Sequence, residues 1–291
     1  MSSQKVTKLI IPVAGMGTRL LPATKSIPKE MLPVLDKPTI QYIIEDAVKA
    51  GIKDIILVTG QSKRAIEDHF DRNEYLEQFC INSGKTEAAR IIREVSEMAN
   101  FIYVRQKGPY GTATPVMNCR HLIGDEPFAV VWGDEILECP EGKPHLKQLI
   151  EVYEKYEHPV ITACMTDDEG TKKYGIIDGT DLGDGMYEVK SLTEKPGPTE
   201  AKSRIASIGG YILTPDIFRF IEEMPAREGR ERYLIDAMDI MITKRPMYAK
   251  LINAIQHDTG NKFSWLQTNI KYGLKDPEIK DKLREYLNTI K

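Results

Sequence analysis

The chain has 291 residues, 41% of them hydrophobic and 29% charged, with a formal net charge of −3. This composition is typical of a folded globular protein and excludes a disordered chain or a general electrostatic attraction to nucleic acid or anionic membranes. No apolar run approaches the ~18 residues that a membrane helix needs. The four cysteines lack zinc-site spacing and favour reduced thiols. We therefore expect a cytoplasmic protein with neither a nucleic-acid nor a membrane partner.

Strand and helix patterns alternate over the first half of the chain. Compact apolar runs predict strands at 9–13, 54–60, 101–106, 127–135 and 159–166. Amphipathic segments between them predict helices, such as the one that ends before Gly51. This order predicts an α/β fold with a Rossmann-like, mostly parallel central sheet flanked by helices. Ligands of such sheets bind beyond the carboxyl ends of the strands, where Gly15, Gln106 and Asp134 fall.

The alternation loosens after about residue 166. Strand-like runs joined by Gly/Asp turns at 174–179, 187–196 and 204–213 predict a smaller mixed β extension. Helical patterns return near the end of the chain, and no linker separates two domains. We expect a single domain over 1–291, with a core at about 1–166, an extension at about 167–260 and C-terminal helices at about 261–291.

The stretch after the first predicted strand indicates an anion site. "GMGTR" (15–19) follows the strand, but it is neither a Walker A loop nor GxGxxG, because position 20 is leucine. Glycine there can serve only a tight turn, or it can let backbone N–H groups approach a phosphate. Arg19, Lys25 and Lys29 favour the phosphate interpretation, and the four prolines at 22, 28, 33 and 38 predict a stiff loop. A solvated basic loop is the alternative.

Carboxylates at predicted strand ends are candidate metal ligands. Asp134 in "VVWGDE" suits Mg²⁺, which prefers oxygen ligands, or is simply part of a Gly-Asp turn. Asp258 in "QHDTGNK" offers a second carboxylate or a helix N-cap. Glu194 and Lys195 in "SLTEKPG" suit a sugar-hydroxyl acceptor beside a phosphate-binding cation, or form an ordinary exposed ion pair.

Taken together, these segments resemble the sugar-1-phosphate nucleotidylyltransferases. The resemblance covers nearly the whole chain and is most specific in "PVAGMGTRLLPATKSIPKEMLPVLDKPTIQYIIEDA", followed in the family's order by "RQKGP", "GDEPFAV", "YGII", "TEKP" and "GNK". It implies transfer of a uridylyl group from UTP to glucose 1-phosphate with Mg²⁺ as cofactor, giving UDP-glucose and pyrophosphate. It also implies a Rossmann-like sheet with a sugar-binding extension, in a homo-oligomer (dimer or tetramer).

The resemblance also implies roles for individual residues. The uridine is held by Ala14, Gly15, Glu30, Gln106 and Gly111. The triphosphate is handled by Gly17, Thr18, Arg19 and Lys29. Mg²⁺ is held by Asp134 and Asp258, the sugar contacts Gly175 and Glu194 with Gly209 nearby, and Lys195 contacts the phosphates. Arg19, Lys29 and Lys195 are the expected catalytic cations.

Three segments depart from the family pattern. "GTATP" (111–115) stands for GLGHA, Glu135 replaces the second Asp of GDD, and "RERYLIDA" (230–237) stands for GEIQLTDA, with Tyr233 for Gln and Ile235 for Thr. The same chemistry with dTTP or another sugar 1-phosphate therefore remains open. A non-catalytic nucleotide-sugar-binding regulator and a nicotinamide-dependent oxidoreductase are further alternatives. The retained metal carboxylates and phosphate cations disfavour the former, and the failed GxGxxG disfavours the latter.

Overall fold

The computed structural model describes residues 4–225 and 231–290. The strands are β1 Lys8–Pro12, β2 Pro33–Val34, β3 Lys37–Pro38, β4 Asp54–Thr59, β5 Asn100–Arg105, β6 Phe128–Val131, β7 Glu135–Glu138, β8 Val160–Met165, β9 Gly175–Gly183, β10 Met186–Glu194, β11 Ile205–Leu213, β12 Tyr248–Leu251 and β13 Ile255–Asp258. The helices are α1 Thr39–Lys49, α2 Arg64–Phe70, α3 Glu74–Asn82, α4 Thr86–Glu97, α5 Ala113–Asn118, α6 Arg120–Ile123, α7 His145–Tyr156, α8 Gly197–Glu200, α9 Ile217–Glu223, α10 Leu234–Ile242, α11 Lys262–Gly273 and α12 Lys280–Thr289. Within the described ranges, no helix is both long and apolar enough to cross a membrane.

A nine-stranded sheet forms the centre, in the order β5-β4-β1-β6-β11-β8-β12-β10-β9. The β5-β4-β1-β6 block is parallel, as is the β8–β12 pair, whereas β11 is antiparallel to both β6 and β8. Because β10 is antiparallel to both β12 and β9, only β10 and β11 run against the other strands. The predicted mostly parallel central sheet is therefore confirmed, and its β extension continues this sheet.

Two apolar clusters cover the two faces of the sheet, because side chains of successive strand residues point to opposite sides. On β1, Ile10 belongs to the cluster under α5, α9 and α10, whereas Leu9 and Ile11 belong to the cluster under α1, α2 and α7. These three residues are fully buried. The near-continuous apolar runs in the sequence are thus strands covered by helices on both faces.

The connections differ from the predictions at specific points. The run 127–135 divides at Gly133-Asp134 into β6 and β7, and β7 pairs with β13 in a separate two-stranded sheet. The sequence pattern did not predict β12, which is only four residues long. Before α2, Ser62 has a φ of 65°, and Lys63 occupies the N-cap position.

Candidate active site

The basic loop after β1 forms no long helix, as its prolines predicted. It contains three short 3₁₀ turns, at Thr18–Leu20, Ala23–Lys25 and Lys29–Met31, and no longer helix. Gly17 adopts a φ of 65°, and its carbonyl accepts a hydrogen bond from Thr24 Oγ1 at 2.8 Å. Arg19 and Lys25 are exposed, whereas Lys29 is partly buried. The loop therefore directs only Lys29 toward the interior of the site.

Seven of the predicted residues line one cleft beyond the carboxyl ends of β1, β5 and β6. The cleft has a volume of about 220 Å³ and is lined by Pro12, Ala14, Gly15, Lys29, Glu30, Gln106, Tyr110, Gly111, Thr112, Pro115, Trp132 and Asp134. The Gln106 backbone N–H donates to the Thr59 carbonyl at 2.9 Å, which ties the end of β5 to β4. The parallel block thus brings together side chains that are far apart in sequence.

Lys29 and Asp134 form the polar centre of this cleft. Lys29 Nζ donates to Asp134 Oδ2 at 2.5 Å, and both side chains are about three-quarters buried. Burial alone would lower the pKa of Lys29, but the carboxylates of Asp134 and Glu30 outweigh it and raise the pKa above its usual value. Lys29 is therefore a stable cation in the site.

Asp134 and Asp258 lie close together because the β7–β13 pairing places Glu135 opposite Asp258. A Cβ built on Gly260 would lie 3.0 Å from both Asp134 Oδ2 and Asp258 Oδ1. Asp258 accepts hydrogen bonds from the Gly260 N–H at 2.7 Å and from Asn261 Nδ2 at 2.9 Å. Asp258 is not the N-cap of α11, since Asn261 occupies that position.

This pair of carboxylates fits a magnesium ion. Within the described ranges, no group of three or more His, Cys, Asp or Glu side chains is placed to hold a metal. Mg²⁺ is usually bound by one or two protein carboxylates, with waters and substrate phosphates completing its coordination. The absence of a side chain on Gly260 leaves space between the two carboxylates.

Glu135, the departure from the second aspartate of GDD, points to a different set of partners. Its carboxylate accepts a hydrogen bond from Gln256 Nε2, and the backbone of Gly209 also hydrogen-bonds to it. Burial raises the pKa of Glu135 to about 7, and the nearby carboxylates of Asp134 and Asp258 add to this shift. A Cβ on Gly209 would lie 2.0 Å from Glu135 Oε2, so any side chain there would force the Glu135 carboxylate to move.

The predicted sugar-side residues meet at the ends of β9 and β10. Lys195 Nζ lies 3.1 Å from Glu194 Oε1 and 5.7 Å from the centre of the Tyr233 ring. A Cβ on Gly175 would lie 2.1 Å from Ile235 Cδ1 and 3.3 Å from Glu194 Oε2. Lys195 itself has an unusual φ of 47°. The sugar-side residues are thus held against the "RERYLIDA" segment, of which Arg230 lies outside the described residues.

The two departures "GTATP" and "RERYLIDA" contact each other directly. The Arg232 N–H donates to the Tyr110 carbonyl at 3.0 Å, and the Ala113 N–H donates to the Arg232 carbonyl at 3.0 Å. The Leu234 N–H donates to Thr112 Oγ1 at 2.8 Å. This contact joins the loop at the cleft to the segment that packs against Lys195 and Gly175.

Aromatic residues that sequence reasoning missed connect the two halves of the site. Trp132 lines the cleft and packs edge-on against Tyr211, with ring centres 6.1 Å apart. Burial raises the pKa of Tyr211 to about 12, with contributions from the carboxylates of Glu194 and Glu135. Trp132 lies beside the predicted Asp134, but the position of Tyr211 depends on β11 pairing with β6.

Comparison with known proteins identifies the family of this chain. Residues 8–273 match the family model described as nucleotidyl transferase. The chain belongs to this family. A curated relative from Staphylococcus epidermidis (strain RP62A), named UTP--glucose-1-phosphate uridylyltransferase, is 45% identical over 287 residues, which are 99% of each chain. The family predicted from the sequence is therefore confirmed.

Solved structures of this nucleotidyl transferase family agree with the fold. A structure described as UTP-bound UGPase from Acinetobacter baumannii has 32% sequence identity and a TM-score of 0.91, covering 98% of this chain and 100% of that chain. A structure described as UDP-glucose pyrophosphorylase complexed with UDP-glucose has 37% identity and a TM-score of 0.85, covering 93% and 100%.

Proposed function

We propose that this nucleotidyl transferase transfers the uridylyl group of UTP to glucose 1-phosphate and releases pyrophosphate, giving UDP-glucose. The observation that carries the proposal is the single cleft that holds Ala14, Gly15, Lys29, Glu30, Gln106, Gly111 and Asp134. The full-length similarity to UTP--glucose-1-phosphate uridylyltransferase supports the choice of substrates.

The proposed reaction needs no protein nucleophile and no general base. A phosphate oxygen of glucose 1-phosphate, already ionised, attacks the α-phosphorus of UTP, and the bond from this phosphorus to the bridging oxygen of pyrophosphate breaks. The protein must therefore align two polyanions and stabilise the charge on the α-phosphate and on the leaving pyrophosphate. We assign this role to Arg19, Lys29 and Lys195, with Gly17 and Thr18 supplying the backbone turn around the phosphates.

We propose that Asp134 and Asp258 hold Mg²⁺. When bound, Mg²⁺ supplies charge that neutralises phosphate oxygens. Gly260 N–H and Asn261 Nδ2 orient Asp258 for this role through their hydrogen bonds. Because Glu135 is held by Gln256 and Gly209, we do not assign it as a ligand.

Base and sugar are assigned to opposite ends of the site. The Gln106 side-chain amide has a donor and an acceptor, which match the ring N–H and a carbonyl of uracil. Thymine keeps this edge and adds only a methyl group, so dTTP is the second candidate nucleotide. Glu194 is the proposed acceptor for sugar hydroxyls, with Gly175 beside it and Gly209 nearby, next to Glu135. We also propose that the protein acts in the cytoplasm as a homo-oligomer. Light scattering of the purified chain measures its molar mass and tests the homo-oligomer.

A pyrophosphate-release assay tests the function. The full chain is incubated with each of UTP, dTTP, CTP, ATP and GTP, in combination with a panel of sugar 1-phosphates and with Mg²⁺. The highest kcat/KM is expected for UTP with glucose 1-phosphate. Preference for dTTP would move the activity to thymidylyl transfer, and binding of UDP-glucose without turnover of any pair would favour the non-catalytic regulator.

A further inference from the structure

A buried ion pair lies against the wall of the cleft and involves a residue that no part of the reaction has used. Lys63, at the start of α2, is buried, and its Nζ donates to Glu30 Oε2 at 2.8 Å. The Glu30 side chain is fully buried. Removing two charges from water costs several kcal/mol per ion, and this cost is not always recovered from their attraction. A buried pair at this position is therefore better explained by a specific task than by stability alone.

The second oxygen of the Glu30 carboxylate indicates what this task is. Glu30 Oε1 is buried and has no hydrogen-bond partner among residues 4–225 and 231–290. Buried carboxylate oxygens normally have partners, and an unpartnered one indicates a binding role or an unseen partner. Glu30 lines the cleft with Ala14, Gly15 and Gln106. A nucleoside offers donors that suit this oxygen, namely a ring N–H and the ribose hydroxyls.

Lys63 is the closest counter-charge of Glu30. Burial raises the pKa of Glu30 above its ordinary value, although the charges of Lys63 and Lys29 oppose this shift, Lys63 more strongly. Lys29 is already engaged with Asp134 at 2.5 Å. Lys63 is thus the cation that contacts the Glu30 carboxylate directly and fixes its orientation.

We propose that Lys63 is a positioning residue for the nucleoside: its ammonium holds Oε2 of Glu30, so that Oε1 is presented as an acceptor to a donor group of the bound nucleoside. This inference rests on the proposed function, because it requires the uridine to occupy the cleft beside Glu30. It adds to that function a residue on α2 that does not touch the substrate and acts through Glu30 alone.

The test compares Lys63→Met with a matched control, Lys8→Met. Lys8 also forms a partly buried ion pair, with Glu126 at 2.8 Å, but it lies at the amino end of β1, away from the carboxyl ends that form the cleft. Steady-state kinetics give KM for UTP and for glucose 1-phosphate, together with kcat. Product-inhibition measurements with pyrophosphate report the phosphate part of the site without the nucleoside.

Lys63→Met is expected to raise KM for UTP about tenfold or more, as loss of a buried hydrogen-bonding group commonly does. KM for glucose 1-phosphate and inhibition by pyrophosphate should stay within about twofold of wild type, and Lys8→Met should leave all three unchanged. If Lys63→Met weakened UTP, glucose 1-phosphate and pyrophosphate equally, the fold would be generally damaged and the assignment would be overturned. An unchanged KM for UTP would also overturn it.

A double variant, Lys63→Met/Glu30→Gln, covers the case in which Lys63→Met alone does not fold. It removes both buried charges, so it should fold. In isothermal titration without sugar phosphate, it should bind UTP more weakly than the wild type does. UTP binding as tight as in the wild type would overturn the proposal. Wild-type protein that neither binds nor turns over UTP would reject the proposed function itself, and the inference with it, whereas active wild type with an unaffected Lys63→Met would reject only Lys63.

Discussion

Gly111 provides a sharp test of the contact between the two departing segments. Its φ is 125°, and a Cβ at this position would lie 2.2 Å from the Arg232 carbonyl oxygen and 2.4 Å from the Arg232 nitrogen. A real Cβ cannot approach backbone atoms this closely. In Gly111→Ala the loop around residue 111 must move away from Arg232. This movement breaks the Arg232–Tyr110 and Ala113–Arg232 backbone hydrogen bonds.

The magnitude follows from these two consequences. A non-glycine residue in such a backbone conformation costs roughly 1–3 kcal/mol. Each lost hydrogen bond costs a further ~0.5–1.5 kcal/mol. Gly108→Ala is the matched control, because Gly108 has a φ of 111° but its Cβ would meet only Thr114 Cγ2, at 3.4 Å, among the residues that the structure describes. The conformational cost is shared, so the difference between the variants isolates the clash, at about 1–3 kcal/mol.

Urea unfolding of wild type and both alanine variants measures this difference. Kinetics of the same proteins should show KM raised for both UTP and glucose 1-phosphate in Gly111→Ala, since residues 110–112 line the cleft. Tyr233 and Ile235 contact Lys195 and Gly175, which we assign to the sugar side. Equal free energies of unfolding for Gly111→Ala and Gly108→Ala would refute the reasoning. A change in KM for UTP alone would show that the contact does not join the two halves of the site.

Three further substitutions test the proposed roles. Asp134→Asn should keep the fold and lose most turnover when initial rates are measured over a magnesium titration. The control Asp125→Asn, at an exposed position before β6, should keep normal turnover. Near-normal activity of Asp134→Asn at low magnesium would remove Asp134 from the metal site. Gln106→Ala should narrow the kcat/KM preference for UTP over CTP by roughly ten- to a hundredfold, and an unaltered ratio would mean that Gln106 does not read the base. Lys195→Ala should lower kcat more than it weakens UTP binding, and unchanged kinetics would leave only an exposed ion pair, whose loss costs ~0–1 kcal/mol.

The central part of the site was predictable because its geometry follows from one rule. Parallel strands end at the same edge of a sheet, so Gly15, Gln106 and Asp134 had to lie near one another once their strands were recognised. The absence of a long helix from the basic loop followed equally directly from its prolines. These inferences need only local patterns and the direction of the chain.

The contacts that could not be predicted join segments that are far apart in sequence. The local sequence pattern of each segment does not indicate which other segment it contacts. Lys63 meets Glu30 across 33 residues of sequence, and Arg232 meets Gly111 across more than a hundred. Glu135 looked like a variant of the metal-binding pair, yet its partners come from β11 and from the strand that ends at Asp258. The pairing of β7 with β13 and the contact with β11 together determine where its carboxylate points.

The three lysines of the site differ in burial, and this difference separates their roles. Each contacts a carboxylate: Lys63 with Glu30 at 2.8 Å, Lys29 with Asp134 at 2.5 Å and Lys195 with Glu194 at 3.1 Å. Their side chains are 6%, 22% and 48% exposed, respectively. An exposed pair contributes only ~0–1 kcal/mol, so Lys195 can exchange its carboxylate for a phosphate at little cost. Breaking a buried pair costs about 3–5 kcal/mol, so Lys63 stays with Glu30 and orients it. The exposure of Lys29 lies between those of Lys63 and Lys195. Its ammonium can therefore bind the phosphates only when they compete with Asp134 for it.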